Sequence, residues 1–313
     1  MSDMEETIKT QVLWVDDQPK EDFMNEAFDC GLDITSATCV SKGVSLLNDK
    51  SKAWDAIILD ANCKLTDDEQ EQPSLKALAE AIRELVHLRT NIPWFVYTGG
   101  DYEGVEFLKI LIDERDYDDR LYYNKPKERY ELFDNIKKAV ENSDTFAIKQ
   151  KYASVCGFYK NSDLVDLLSR QEADNFDTDT SIPNRVRQII DWIMRYFDGR
   201  GLLSVPFMGT NIARCSSSLG EIPQLVPIHV ARSLHFCVEV CNNGSHGDEI
   251  IANIAGGEAP YLNKSIILNL LNILHWCPSL QKYEVEELKK KVAQYQQETR
   301  EKKEKRVRNL KNT

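Results

Sequence analysis

VLWVDDQP, residues 12–19, reads as a buried strand that stops on two carboxylates. Four apolar residues in succession, followed by acid, amide and proline, fit a strand covered on both faces rather than one with a wet side. The same grammar returns three times. AIILDAN (56–62) runs into Asp60, WFVYTGG (94–100) into Thr98, and YYNKP (122–126) into Lys125. Together with Ile34–Val40, the runs Val12–Val15, Ala56–Leu59, Trp94–Tyr97 and Leu121–Tyr123 make five strands.

Amphipathic stretches alternate with them: Lys20–Cys30, Lys42–Asn48, Ser74–His87, Glu103–Leu111 and Glu128–Val140. In the third, Leu75, Leu78, Ala79, Ile82, Leu85 and Val86 recur at helical spacing. Gly31 is a stop signal after the first, and Pro93 opens the fourth strand. Strands and helices in strict alternation imply an α/β fold, a doubly wound parallel sheet with right-handed crossovers. Ligand chemistry in such a sheet belongs at the carboxyl ends of its strands, where the polar residues just named stand.

Past about residue 150 the strand-like runs cease. Helices are expected at Phe158–Arg170, Pro183–Phe197, Asn211–Ser218, Val226–Cys241 and Leu262–Trp276, with Ser181 as a cap and Gln171–Thr180 as a loop. Tyr283–Thr313 is a polar, charged segment in which Leu288, Val292 and Tyr295 keep an apolar seam until Thr299 and Lys302 break it. The expected organisation is therefore an α/β domain (1–150), an all-α domain (151–281) and a charged helical tail (282–313).

With 313 residues, 42% of them apolar and 29% charged, the chain can bury two cores. No apolar run is long enough to span a bilayer, and the opening MSDMEETIKT lacks the pattern of a signal peptide. Cys30, Cys39, Cys63, Cys156, Cys215, Cys237, Cys241 and Cys277 form no CxxC pair and read as reduced thiols. The expected setting is cytoplasmic. Residues 1–150 carry 18 Lys and Arg against 32 Asp and Glu, which argues against a nucleic-acid surface there and suits a cation site. Residues 282–313 reverse the balance, with 11 basic against 6 acidic side chains.

Three carboxylates converging at one sheet edge repel one another unless a cation joins them. Mg²⁺ suits Asp16, Asp17 and Asp60, being a hard ion that takes oxygen ligands and accepts a phosphate oxygen. A lysine and a threonine on the facing rim would hold the other phosphoryl oxygens, and one carboxylate could act as nucleophile toward phosphorus. An Asp-x-Asp phosphatase of the haloacid-dehalogenase type is disfavoured because Gln18 stands where the second acid belongs. A dinucleotide site is disfavoured because no glycine-rich turn follows the first strand.

Asp16–Asp17, Asp60, Thr98 and Lys125–Pro126, in that order, resemble the receiver domain of two-component response regulators over about residues 9–142. The resemblance implies a flavodoxin-like sheet of order 2-1-3-4-5. It also implies Asp60 as phospho-acceptor, Asp16 and Asp17 as Mg²⁺ ligands, and Asn62 as a backbone-carbonyl ligand. Thr98 would be the switch hydroxyl, Lys125 the phosphate-contacting cation on a cis Lys125–Pro126 bond, and Tyr122 the switch aromatic. Gly99 matches the small residue beside the phosphoryl pocket. The implied partner is a histidine kinase or phosphotransfer protein, with a phosphorylation-dependent homodimer or protein complex as the output. Any catalysis is then confined to the domain's own phosphorylation and dephosphorylation. The family's Met-Pro and later Gly beyond the acceptor are absent, replaced by the acidic loop 62–74, NCKLTDDEQEQPS.

The second half holds no helix-turn-helix with a basic recognition helix and no zinc spacing. His235, Cys237, Cys241 and His246 do not share a helix face suited to a metal. CNNGSHGDE, residues 241–249, resembles the Arg-Asn-x-x-x-His signature of HEPN-type helical domains, with Asn242 and His246 in place and Cys241 in place of the arginine. That resemblance implies an RNA-directed effector as the alternative output. DNA binding through the basic tail is a third.

Overall fold

The structure of the protein, a computed structural model, describes residues 9–49, 51–68, 70–87, 92–99, 117–118, 120–173, 177–246 and 248–311. The expected helix Glu103–Leu111 lies outside the described residues. The chain divides into two units, Met1–Ala153 with Lys160–Val165, and Ser154–Tyr159 with Asp166–Thr313.

The first unit is built on a five-stranded parallel sheet of order β2-β1-β3-β4-β5. The strands are β1 (Thr10–Val15), β2 (Leu32–Ala37), β3 (Ala56–Leu59), β4 (Trp94–Thr98) and β5 (Tyr123–Asn124). Alternate residues feed two cores, because successive strand side chains point to opposite faces. Leu13, Val15, Ile57, Leu59 and Val96 bury themselves on one side, against the helix Leu75–His87. Val12, Trp14, Ile58, Phe95, Tyr97 and Tyr123 do so on the other, with Phe23 of the helix Glu21–Asp29 and Phe133 and Ile136 of the helix Arg129–Glu141. The central strands are dry on both faces, which is why β3 and the run Trp94–Tyr97 are apolar throughout, whereas the edge strand β2, LDITSA, is only half-buried between its ends.

Several local expectations are revised. The run Ile34–Val40 ends as strand at Ala37. Cys39 is extended (φ −159°, ψ 165°) and Val40 already opens the helix Val40–Asn48. That helix lies hard against β1 at Gly43, where a Cβ would come within 2.8 Å of Val15 Cγ2. β5 takes only Tyr123 and Asn124, leaving Tyr122 half-buried before it. On Leu75–His87 the buried stripe is Ala77, Leu78, Ala81 and Ile82, and Ala79 is half-buried at its edge. Gly31 ends the first helix as expected, at φ 89°.

One unexpected helix lies in this unit. Asp144–Lys151 is capped by Ser143, whose Oγ accepts the Phe146 N–H at 3.2 Å. Lys149 on it is 4% exposed and donates to Asp55 Oδ1 (2.5 Å) and to the Ala53 carbonyl (2.9 Å). Asp55 Oδ2 accepts the backbone N–H of Gln11 at 2.8 Å. The pair sits before β3 and at the start of β1, the end of the sheet opposite Asp60.

The second unit is helical. The helix Ile228–His246 packs on Ile182–Gly199, Ile212–Leu219 and Leu262–Trp276. The expected Phe158–Arg170 helix is two, Ala153–Phe158 and Ser162–Glu172, and a further helix runs over Asp248–Ala255. Ser181 does not cap with its side chain. Its N–H and hydroxyl both donate to Asp179 Oδ1, at 2.8 and 2.6 Å. The tail forms one helix, Val285–Lys311, with Leu288 and Val292 buried. Beyond them the Thr299 hydroxyl donates to the Glu221 carbonyl at 2.9 Å, a polar contact where the apolar seam ends. Among the described residues no helix is long and apolar enough to cross a membrane.

Candidate functional site

Strand register assembles the site. Val15 pairs with Leu59, so the next residues, Asp16 and Asp60, leave adjacent strands side by side. Leu59 pairs with Val96 and Thr98 pairs with Asn124, which places Thr98 and Lys125 on the same edge. The ladder continues one step into each loop: the Asp16 N–H bonds Ala37 O (2.9 Å), the Asp60 N–H bonds Val15 O (2.8 Å) and the Lys125 N–H bonds Thr98 O (2.8 Å). The polar side chains are thus carried on backbone that is itself pinned. The Lys125–Pro126 peptide is cis.

Carboxylate oxygens of Asp16, Asp17 and Asp60 lie within 4.8 Å of one another. Asp16 is 2% exposed, Asp60 8% and Thr98 1%. Lys125 bridges the cluster, bonding Asp16 Oδ2 and standing 3.2 Å from Asp60 Oδ2. The Gln18 N–H donates to Asp16 Oδ1 at 2.8 Å. Burial pushes the Asp60 carboxyl above the usual carboxylate range. Lys125 pulls it back, the Asp16 charge adds to the rise, and the Asn62 N–H opposes it. Asp60 Oδ1 is buried with no hydrogen-bond partner.

An orphaned carboxylate oxygen beside two more acids is a donor set made only of oxygen, which a hard divalent cation satisfies. The residues therefore fit Mg²⁺. Tyr122 packs against the Leu13–Leu59 side of the core. Cys63, next to the acids, is buried, and desolvation together with the Asp60 charge pushes its thiol up to about 12. All eight cysteines are free thiols, and only Cys30 is not buried.

The acidic loop after Asp60 is tightly held. Glu71 accepts the N–H groups of Leu65 (3.1 Å) and Thr66 (2.8 Å) and the Thr66 hydroxyl (2.6 Å). Cys63 and Ser74 form an antiparallel bridge across its base. The carbonyls of Lys64 and Leu65 accept the N–H groups of Val40 and Ser41, each at 2.9 Å, so the loop caps the helix Val40–Asn48. Lys42 pairs with Asp67 at 2.7 Å. Sequence reasoning missed this cap, for which a run of Asp and Glu gives no local signal.

In the helical unit, Asn242 is half-buried and its Oδ1 accepts from Arg187 of Ile182–Gly199 at 2.6 Å. One turn beyond Arg187, burial raises the Asp191 carboxyl, opposed by Arg187 and Arg195. His246 ends the helix that carries Asn242, and its side chain lies outside what the structure describes.

No family model and no curated protein matches the chain. Among solved structures, a response regulator receiver domain protein from Clostridium thermocellum aligns at 15% identity with a TM-score of 0.32, covering 42% of this chain and 94% of that one. The first unit itself shows a five-stranded parallel sheet of order 2-1-3-4-5 with an acidic cluster at its strand ends.

Proposed function

We propose that the protein is a response regulator that accepts a phosphoryl group on Asp60. The observation that carries this reading is the convergence of Asp16, Asp17, Asp60 and Lys125 on one sheet edge, with Asp60 Oδ1 buried and unpaired. The Asp60 carboxylate attacks phosphorus. A new O–P bond forms as the donor's P–N bond (phosphohistidine) or P–O bond (acyl phosphate) breaks, and the leaving group keeps the electron pair. Mg²⁺ held by Asp16, Asp17, Asp60 and the Asn62 carbonyl would supply charge neutralisation of the phosphoryl oxygens.

The protein's own groups do the rest. Lys125 turns from the carboxylates to a phosphoryl oxygen, and the Thr98 hydroxyl takes another. The added charge of about −1.5 to −2 drives that exchange. Tyr122, half-buried beside β5, moves with Thr98, and this reshapes the surface that a partner or second copy reads. Residues 151–281 serve as the output through self-association or partner binding, and 282–313 as a charged tail.

The test is incubation with Mg²⁺ and acetyl phosphate, followed by intact mass and light scattering. The parent should gain one phosphoryl group and change size, and Asp60→Asn should do neither. Modification surviving in that variant would locate the acceptor elsewhere and end this reading.

A second output reading rests on the Arg187–Asn242 contact, which supplies a guanidinium where Cys241 removes one from the signature. Positioned cations stabilise phosphodiester transition states, so the helical unit is read as an RNA-directed effector using Asn242 and His246. His246→Ala should then abolish RNA cleavage. Cleavage unchanged in the variant, or absent in the parent, removes the reading.

A further inference from the structure

The helix Ile228–His246 spends one side on its own unit and leaves the other bare. Val230, Leu234, Cys237, Val238 and Cys241 are buried, and the Cys237 thiol donates to the Ile266 carbonyl of the neighbouring helix at 3.4 Å. On the opposite side Ile228, Arg232, His235 and Glu239 are exposed in turn. Their spacing of four, three and four residues makes one straight stripe, the spacing with which a helix meets another helix. Ile228 is 53% exposed, and Phe236 beside the stripe is half-buried.

The charges on this stripe are their own complement when the helix is reversed. Arg232 and Glu239 stand two turns apart, about 10.5 Å along the axis, too far to pair with each other. Among the described residues neither has an ion-pair partner. A second copy laid antiparallel on the stripe, with the two-fold axis between His235 and Phe236, brings Arg232 to Glu239 of the second copy. The same symmetry repeats that contact on the other side of the axis, as an isologous interface requires. Laid parallel, the two copies would set arginine on arginine and glutamate on glutamate, so the charges select one orientation. Exposed ion pairs contribute little by themselves. They set the register, and Ile228 and Phe236 bring apolar surface to the contact.

We infer that the bare side of Ile228–His246 is a homodimer face, closed by two reciprocal Arg232–Glu239 pairs between antiparallel helices. This names the surface and the partner for the self-association output proposed above, and rests on that output. Asp60 takes no part in the contact, so the face and the acceptor stand or fall separately.

The experiment is sedimentation equilibrium of the full chain, from low micromolar to near millimolar, with no phosphoryl donor present. The parent should populate a dimer that grows with concentration. Arg232→Glu and Glu239→Arg should each weaken association at least about tenfold, because each sets like charges together at both contacts. Combining the two substitutions in one chain reverses both charges and should restore the dimer to within about threefold of the parent. The two single variants mixed should associate at least about tenfold more tightly than either alone, since every contact between them is then of opposite charge. A thermal melt of each variant verifies that it is folded. A parent that stays monomeric, single variants that dimerise as the parent does, a double variant as weak as the singles, or a mixture no tighter than its components would each overturn the inference.

Discussion

Lys125 Nζ stands 3.2 Å from Asp60 Oδ2 while bonded to Asp16, so a side chain 65 residues downstream of the candidate acceptor occupies the charge centre of the cluster. A divalent ion seeking Asp16 must displace it. Removing the ammonium leaves three acids without their cation, and Lys125→Met should cost about 1–3 kcal/mol of stability in the absence of metal. The same variant should gain more from Mg²⁺ than the parent, since nothing competes for Asp16. Thermal melts across a Mg²⁺ series measure both. Stabilisation grows as RT ln(1 + [Mg²⁺]/Kd) and reaches about 2.7 kcal/mol at a hundred times Kd.

Asp60 titrates with a sign opposite to most carboxylates. Its folded pKa is raised, chiefly by burial, so ionising it above that pKa works against the fold, and the penalty is lost as pH falls through it. Asp60→Asn should therefore be more stable than the parent at pH 7 without metal. The gain should shrink as the solution is acidified through the acceptor's pKa, as denaturant midpoints at pH 7 and pH 4 would show. A variant no more stable at pH 7 would mean that Lys125 already offsets the burial.

At the far end of the sheet, Lys149 and Asp55 are an ion pair with 5% and 3% of their side chains exposed. Breaking such a pair from one side strands a buried charge, so Lys149→Met should cost about 3–5 kcal/mol. Adding Asp55→Asn should recover much of that loss, since the amide keeps an acceptor for the Gln11 N–H. A double-mutant cycle by chemical denaturation measures the coupling.

Glu71 is held below the usual carboxylate range, first by the Thr66 hydroxyl and then by the Thr66 N–H. A lowered folded pKa stabilises the loop above the unfolded value and releases it as pH falls through the folded one. Glu71→Ala should lower the amide protection factors at Leu65 and Thr66 at neutral pH, and acidification should lower them in the parent once the slower intrinsic exchange is divided out. The protection factor at Ile58, deep in β3, should not change.

The α/β half was legible because its information is local. An apolar run stopping at Asp16, Asp60 or Thr98 marks both a strand and its functional end, and parallel register then aligns those ends. β5 was harder to place, since Leu121 and Tyr122 look as strand-like as Tyr123 but precede the ladder, which begins at Tyr123. The helix Asp144–Lys151 was illegible for another reason. DTFAIKQK has no apolar stripe, and Lys149, one of its two lysines, is buried only because Asp55, 94 residues earlier, meets it. The loop cap on Val40–Asn48 and the Arg187–Asn242 contact are likewise bonds between distant segments, which no window on the sequence contains. In the tail, Thr299 ends the apolar seam as its polarity implies, but the backbone carbonyl its hydroxyl meets is 78 residues back and equally out of view.

Seven of the eight thiols are buried, and burial pushes Cys63 and Cys241 up to about 12, far from the thiolate that electrophiles require. Cys30 alone is half-exposed, directly after the helix that carries Phe23, Asn25 and Glu26. Nature has thus left one handle for a maleimide dye on the native chain. A fluorophore placed there would report in real time on metal or phosphoryl donor, with no cysteine first engineered away.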